Sequence, residues 1–152
     1  MRIFHILLLA AFLCASPGLS HAQVGPSACM RAAIKAEKKY NIPNKLLQAI
    51  SLVETGHSRD GIYQAWPWTI NNGRKGRYFD NKIEAERYVR KNVRLQKSSI
   101  DVGCFQINAK WHGKAFKTAV KTLDPFASAD YAAKFLVQLH SEFGDWRVAS
   151  AR

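Results

Sequence analysis

The sequence predicts an α+β fold, predominantly α-helical, with one small β-hairpin. Three observations predict it. Leu46, Leu47, Ile50 and Val53 recur at i, i+3 and i+4 spacing, which lays an apolar stripe along a helix. Asn71-Asn72-Gly73 is a turn sequence between two segments rich in aromatic and β-branched residues. Of 152 residues only 9 are Gly and 5 Pro, and 47 % are hydrophobic, which excludes a disordered or collagen-like chain. The length also excludes a TIM barrel or a two-domain dinucleotide enzyme.

The N-terminus reads as a targeting segment. Met1-Arg2 is a short positive start, and residues 3–14 are apolar without formal charge. Ala15-Ser16-Pro17-Gly18-Leu19 breaks the run. Ser20-His21-Ala22 then places small residues at the two positions a signal peptidase reads. Residues 1–22 are expected to be a signal peptide cleaved before Gln23, with an uncleaved anchor as the alternative. The run is too short for a stable anchor. Residues 23–152 then form one exported domain, in the periplasm or cell envelope. Export leaves Cys29 and Cys104 as an even pair in an oxidising compartment, so a disulfide is expected. Two separately buried thiols are the alternative. Two distant cysteines do not make a metal site, and neither metal nor cofactor is expected.

The elements follow in order. Ser27 caps a helix to about Tyr40, with Ala32, Ala33 and Ala36 inward. Pro43 suits the first turn of the next helix, residues 43–55, and Gly56 stops it. Trp66, Trp68, Thr69 and Ile70 favour strand, and Arg77-Tyr78-Phe79 is the return strand of the hairpin. Residues 82–96 read as helix, 98–113 as loop and short turns, and 113–120 as a short helix. A last long helix covers 128–143, with Tyr131, Ala132, Phe135, Leu136 and Leu139 inward, and Gly144 ends it. Residues 145–152 read as the start of one more helix, cut short.

Lys and Arg number 23 against 11 Asp and Glu, a formal charge of +12. The stretch with Arg87, Arg90, Lys91, Arg94 and Lys97 has the spacing of a solvated helix face. No nucleic-acid-binding motif accompanies it, and export argues against nucleic acid as partner. An anionic wall or membrane surface suits the charge.

Glu54 is the candidate for chemistry. It follows Ile50 by four residues and Leu47 by seven, so a carboxyl sits on the apolar stripe near the helix C-terminus. Desolvation and the negative end of the helix dipole both disfavour its charged form. A carboxyl kept protonated is what a general acid requires. The alternative is a Glu at the stripe's edge with its head in water. Tyr63, Trp66, Trp68 and Tyr78 cluster around the hairpin, where they either stack on sugar rings or pack the hairpin onto the helices.

At this point the sequence resembles a known family. Ile42-Pro43, Leu46-Leu47-Gln48-Ala49-Ile50 and Val53-Glu54-Thr55-Gly56 resemble the catalytic helix of the soluble lytic transglycosylase (SLT) domain. Thr55 stands where that family usually has Ser. Asp101-Val102-Gly103-Cys104-Phe105-Gln106-Ile107-Asn108 resembles the second motif, with Asp101 in place of a common Ser. Leu123-Asp124-Pro125, Ala132-Ala133, Phe135-Leu136 and Gly144-Asp145-Trp146 resemble the third block in order and spacing. Trp66-Pro67-Trp68-Thr69 and the Cys104 form of the second motif are similar to short exported members, which accompany secretion, conjugation or pilus machines.

The resemblance implies a lysozyme-like fold with a sugar-binding groove, acting as a monomer on peptidoglycan glycan strands. It implies cleavage of the bond between N-acetylmuramic acid and N-acetylglucosamine without water, leaving a 1,6-anhydro end. Glu54 then serves as both acid and base, so a second carboxylate is not needed. Gly103, Gln106 and Asn108 line the groove, and Tyr63 and Trp66 bind substrate. A secretion, conjugation or pilus apparatus is the implied partner. The family continues with an Ala-x-Ala-x-Tyr pattern, and Ala149-Ser150-Ala151-Arg152 reaches the position before its Tyr, which reads as truncation. Two alternatives stay open. One is a lysozyme-type hydrolase, with Asp60 or Asp101 as second carboxylate. The other is a non-catalytic wall-binding protein.

Overall fold

The computed structural model describes residues 27–73, 75–94 and 99–151. The expected signal peptide, residues 1–22, lies outside them. Among the described residues no helix is long and apolar enough to cross a membrane. The fold is α+β and mainly helical, with small antiparallel sheets.

Helix α1, Ala28–Tyr40, starts where Ser27 accepts a hydrogen bond from the Met30 N–H. Cys29, Ala32, Ala33 and Ala36 are its buried face. The small side chains let α1 lie close against the last long helix.

Helix α2 is Leu46–Thr55, shorter than the expected 43–55. Pro43 sits in the preceding turn, and Lys45 takes a left-handed φ of 72° before the helix begins. No side chain at Lys45 caps α2. The buried carboxylate of Glu37 does so instead, accepting from the N–H groups of Lys45 at 3.2 Å and Gln48 at 3.1 Å. Val53, expected on the stripe, is 84 % exposed. The fully buried face of α2 is Leu47, Ser51 and Thr55, while Leu46 and Ile50 of the expected stripe are partly buried against the core. Ser51 and Thr55 can be buried because each hydroxyl donates back to a carbonyl of its own helix, Gln48 and Ser51 respectively. The polar members of the face hid it from an apolar pattern.

Two hairpins replace the single expected one. Strands β1, Gly56–Arg59, and β2, Ile62–Ala65, pair antiparallel around Asp60-Gly61, both with positive φ. Strands β3, Thr69–Asn71, and β4, Gly76–Tyr78, make the second hairpin. The latter belongs to a four-stranded sheet of order β4-β3-β5-β6, with β5 Asp101–Val102 and β6 Ile107–Asn108. Residues expected as loop therefore carry strands β5 and β6 of the second motif, β5 inside the sheet and β6 at its edge.

Helix α3, Lys82–Arg94, agrees with the expected helix up to the end of its described span. Helix α4 is a single turn, Ala109–His112, and the expected helix over 113–120 resolves into two 3₁₀ turns, Gly113–Ala115 and Ala119–Leu123. Helix α5, Pro125–Phe143, starts three residues before the expected 128. Asp124 accepts from the N–H groups of Phe126 and Ala127, and Pro125 fills the first helical position. Gly144 ends α5 at φ 72°, and α6, Trp146–Ser150, follows with Asp145 as its cap.

Two cores hold these elements. The larger joins α1, α2 and α5 around Leu47, Ala33, Ala133 and the Cys29–Cys104 disulfide. The smaller packs α3 on the four-stranded sheet through Ile70, Val89, Ile100, Val102 and Leu123. The disulfide spans 75 positions and fastens α1 to the turn between β5 and β6.

Candidate active-site cleft

A cleft of about 260 Å³ opens between α2, α5 and the β6–α4 corner. Its apolar wall includes Leu47 and Ile50 from α2, and Phe135, Leu136 and Leu139 from α5. Tyr131 and Ala132, expected to point inward, pack against the larger core and also line the cleft, whereas Phe135, expected inward as well, faces the cleft and is 38 % exposed.

Glu54 lies on the cleft at the last turn of α2. It is exposed at the rim, yet partial burial pushes its carboxyl pKa above the ordinary 4.5. The charge of Asp101 pushes in the same direction. Desolvation was legible from the apolar stripe. The contribution of Asp101 was not, because only the fold brings its charge on β5 within reach of the end of α2.

Gln106 and Asn108 line the same cleft. Gln106 has a left-handed φ of 42°, and its Nε2 donates to the carbonyls of Gly103 at 3.0 Å and Thr69 at 3.3 Å. Its Oε1 makes no hydrogen bond among the described residues. Asn108 is committed inward. Its Nδ2 donates to Ser99 and, at 2.7 Å, to Asp101, its cross-strand partner. Its Oδ1 caps α4 by accepting from Lys110 and Trp111. Asn108 thus holds Asp101 and α4 in place.

Gly103 does not line the cleft. It is buried at φ +76°, donates to Thr69, and a Cβ there would meet the Thr122 carbonyl oxygen at 2.5 Å. Tyr63 and Trp66 also stand apart from the cleft lining. Trp66 donates from Nε1 to the Phe79 carbonyl at 2.7 Å and packs against Trp68, His57 and the Arg59 guanidinium. Its surroundings are those of the packing alternative. Tyr63 is 62 % exposed beside the end of α2, with its hydroxyl 3.5 Å from the Leu52 carbonyl. Cys29 and Cys104 are bonded, and the carbonyl of Cys104 lies 3.5 Å from the Thr55 hydroxyl.

His112 and Tyr131 also line the cleft, and neither was singled out for function from sequence. His112 Nδ1 and the Tyr131 hydroxyl are hydrogen-bonded at 2.7 Å, and burial raises the Tyr131 pKa above the usual 10.0. The signal available in the sequence was weak: His112 follows the second motif, and Tyr131 sits on the same stripe as Phe135. Among the described residues no group of three or more His, Cys, Asp or Glu could hold a metal ion.

No family model matches the chain, and neither a curated protein nor a solved structure matches it.

Proposed function

We propose that this protein is a lytic transglycosylase of the cell envelope, cleaving the β-1,4 bond between N-acetylmuramic acid and N-acetylglucosamine in peptidoglycan. One observation carries the reading. Glu54 presents a carboxyl of raised pKa at the rim of a cleft with one apolar wall and one polar corner. That is the arrangement a general acid for a glycosidic oxygen requires. The three motif blocks resembling the SLT family, and the lysozyme-like fold they imply, support the same reading.

In this mechanism Glu54 donates its proton to the leaving glycosidic oxygen as the C1–O bond breaks. The C6 hydroxyl of the same sugar attacks C1, and Glu54 takes its proton. A 1,6-anhydro ring forms, Glu54 ends protonated, and no water is consumed. The Oε1 of Gln106, which makes no hydrogen bond among the described residues, serves in this reading as an acceptor for a sugar hydroxyl.

Hydrolysis is the second reading, favoured by the charge of Asp101 acting on Glu54. A second carboxylate near the acid is what a lysozyme-type hydrolase uses. Digestion of purified sacculi, read by mass spectrometry, separates the two. Anhydro-muropeptides from the parent and none from Glu54→Gln are the expected result. Reducing ends indicate hydrolysis. A folded protein that releases nothing sinks both and leaves wall binding.

A further inference from the structure

The Glu54 cleft contains a second polar pair, and its chemistry differs from that of the protein surface. His112 ends α4 and Tyr131 stands on α5. Their 2.7 Å hydrogen bond occupies His112 Nδ1. The imidazole also meets Tyr131 and Phe135 edge-on, with ring centroids 5.7 and 5.4 Å away. One hydrogen bond and two aromatic edges therefore fix the ring plane. Nε2 makes no hydrogen bond among the described residues, although His112 lines the cleft. A half-buried polar atom of this kind takes water or a ligand as its partner.

The surrounding groups narrow the ligand. The chain carries a formal charge of +12, yet no Lys or Arg is among the described residues that line the cleft. An anionic substituent would meet the Glu54 carboxyl with no cation to offset it. The group beside His112 is therefore neutral. Phe135, whose ring meets the imidazole edge-on, gives the same cleft an apolar wall together with Leu136 and Ile107. A hydroxyl satisfies the nitrogen but leaves that wall uncovered. An acetamido group satisfies both, with an amide for the imidazole and a methyl for the wall.

We propose that His112, oriented by Tyr131, binds the acetamido group of an N-acetylhexosamine in the Glu54 cleft and sets the preference for acetylated sugars. The pair adapts to either end of the amide. When Tyr131 donates to Nδ1, Nε2 carries the proton and donates to the acetamide carbonyl. When Nδ1 donates to Tyr131, Nε2 accepts from the acetamide N–H. This inference rests on the glycan-cleaving reading and adds to it the residues that recognise the sugar's substituent.

The test compares β-1,4-linked hexamers of N-acetylglucosamine and of glucose, bound to the purified protein by calorimetry. The parent is expected to prefer the acetylated hexamer. His112→Ala should cut that preference about tenfold, near the worth of one hydrogen bond, and leave the glucose hexamer unchanged. His112→Gln should restore part of it, since an amide both donates and accepts. Tyr131→Phe keeps the aromatic wall and should lose part of the preference, which keeps the test open if His112→Ala does not fold. The ¹⁵N resonance of His112 Nε2 should move on adding the acetylated hexamer. Equal binding of both hexamers by the parent, an unchanged preference in His112→Ala, or an unmoved Nε2 resonance overturns the inference. If the parent still releases anhydro-muropeptides, the proposed function survives that failure. A parent that binds neither hexamer and releases nothing from sacculi overturns both.

Discussion

Gln48 donates twice to Glu37, from its backbone N–H to Oε1 at 3.1 Å and from its side-chain Nε2 to Oε2 at 2.7 Å. The carboxylate is buried and belongs to the preceding helix, so the start of α2 is set by α1. Negative charge at a helix N-terminus also suits the dipole. Glu37→Ala leaves the Lys45 and Gln48 N–H groups without this partner. A loss of about 1–3 kcal/mol is expected, within the range of a lost cap and an unsatisfied donor, read by urea unfolding. Glu37→Gln should lose less.

Glu54 predicts a pH-dependent trade of stability against activity. Its folded pKa is raised, so the neutral form is favoured in the native state. Stability tied to this group is present below the ordinary 4.5 and is lost as pH rises through the folded value. Glu54→Gln should therefore melt a few degrees higher than the parent at pH 8 and at the same temperature at pH 3. Calorimetry at the two pH values checks both halves. Activity should fall on the alkaline side as the acid ionises. Asp101→Asn removes one cause of the shift, so that alkaline limb should move to lower pH.

The disulfide predicts a large stability loss without it. Its loop separates the cysteines by 75 positions. The chain-entropy account assigns such a cross-link about 4 kcal/mol. The double variant Cys29→Ser, Cys104→Ser should show a loss of that order in denaturant unfolding. A change below about 1 kcal/mol would mean that packing of α1 on α5 already holds the ends together.

Gly103→Ala should destabilise the β5–β6 turn. The backbone there is left-handed, and the added Cβ meets main chain, which cannot rotate away. The cost should exceed about 1 kcal/mol. Because Gln106 donates to the Gly103 carbonyl, release from sacculi should fall along with the melting temperature.

The helices were legible wherever caps and apolar period agreed. Ser27 and Gly144 mark ends seen in the fold, while the start of α5 was expected at 128 and lies at Pro125, after the Asp124 cap. The start of α2 was not legible, because its cap comes from Glu37, eight residues before Lys45. The buried face of α2 was obscured by Ser51 and Thr55, whose hydroxyls are satisfied within the helix. The first hairpin carried a signal, Asp60-Gly61, but its strands lack apolar alternation. Of the candidate site, Glu54, Gln106 and Asn108 meet at one cleft, while Gly103, Tyr63 and Trp66 do not line it. The roles of Asn108 as an internal clamp and of His112 with Tyr131 as a pair arise from contacts between distant segments, which no local pattern encodes.

The segregation of charge gives the molecule two kinds of attraction with different reach. Its many exposed cations act over the Debye length, about 10 Å at 0.1 M salt, and weaken as ions are added. The cleft, which among the described residues is lined by no Lys, Arg or Asp and by one Glu, works at contact distance and depends little on ionic strength. Salt thus becomes a dial that separates capture from reaction. At low salt an anionic matrix concentrates the protein and confines its diffusion to a surface. At high salt the same cleft meets its ligand one free encounter at a time.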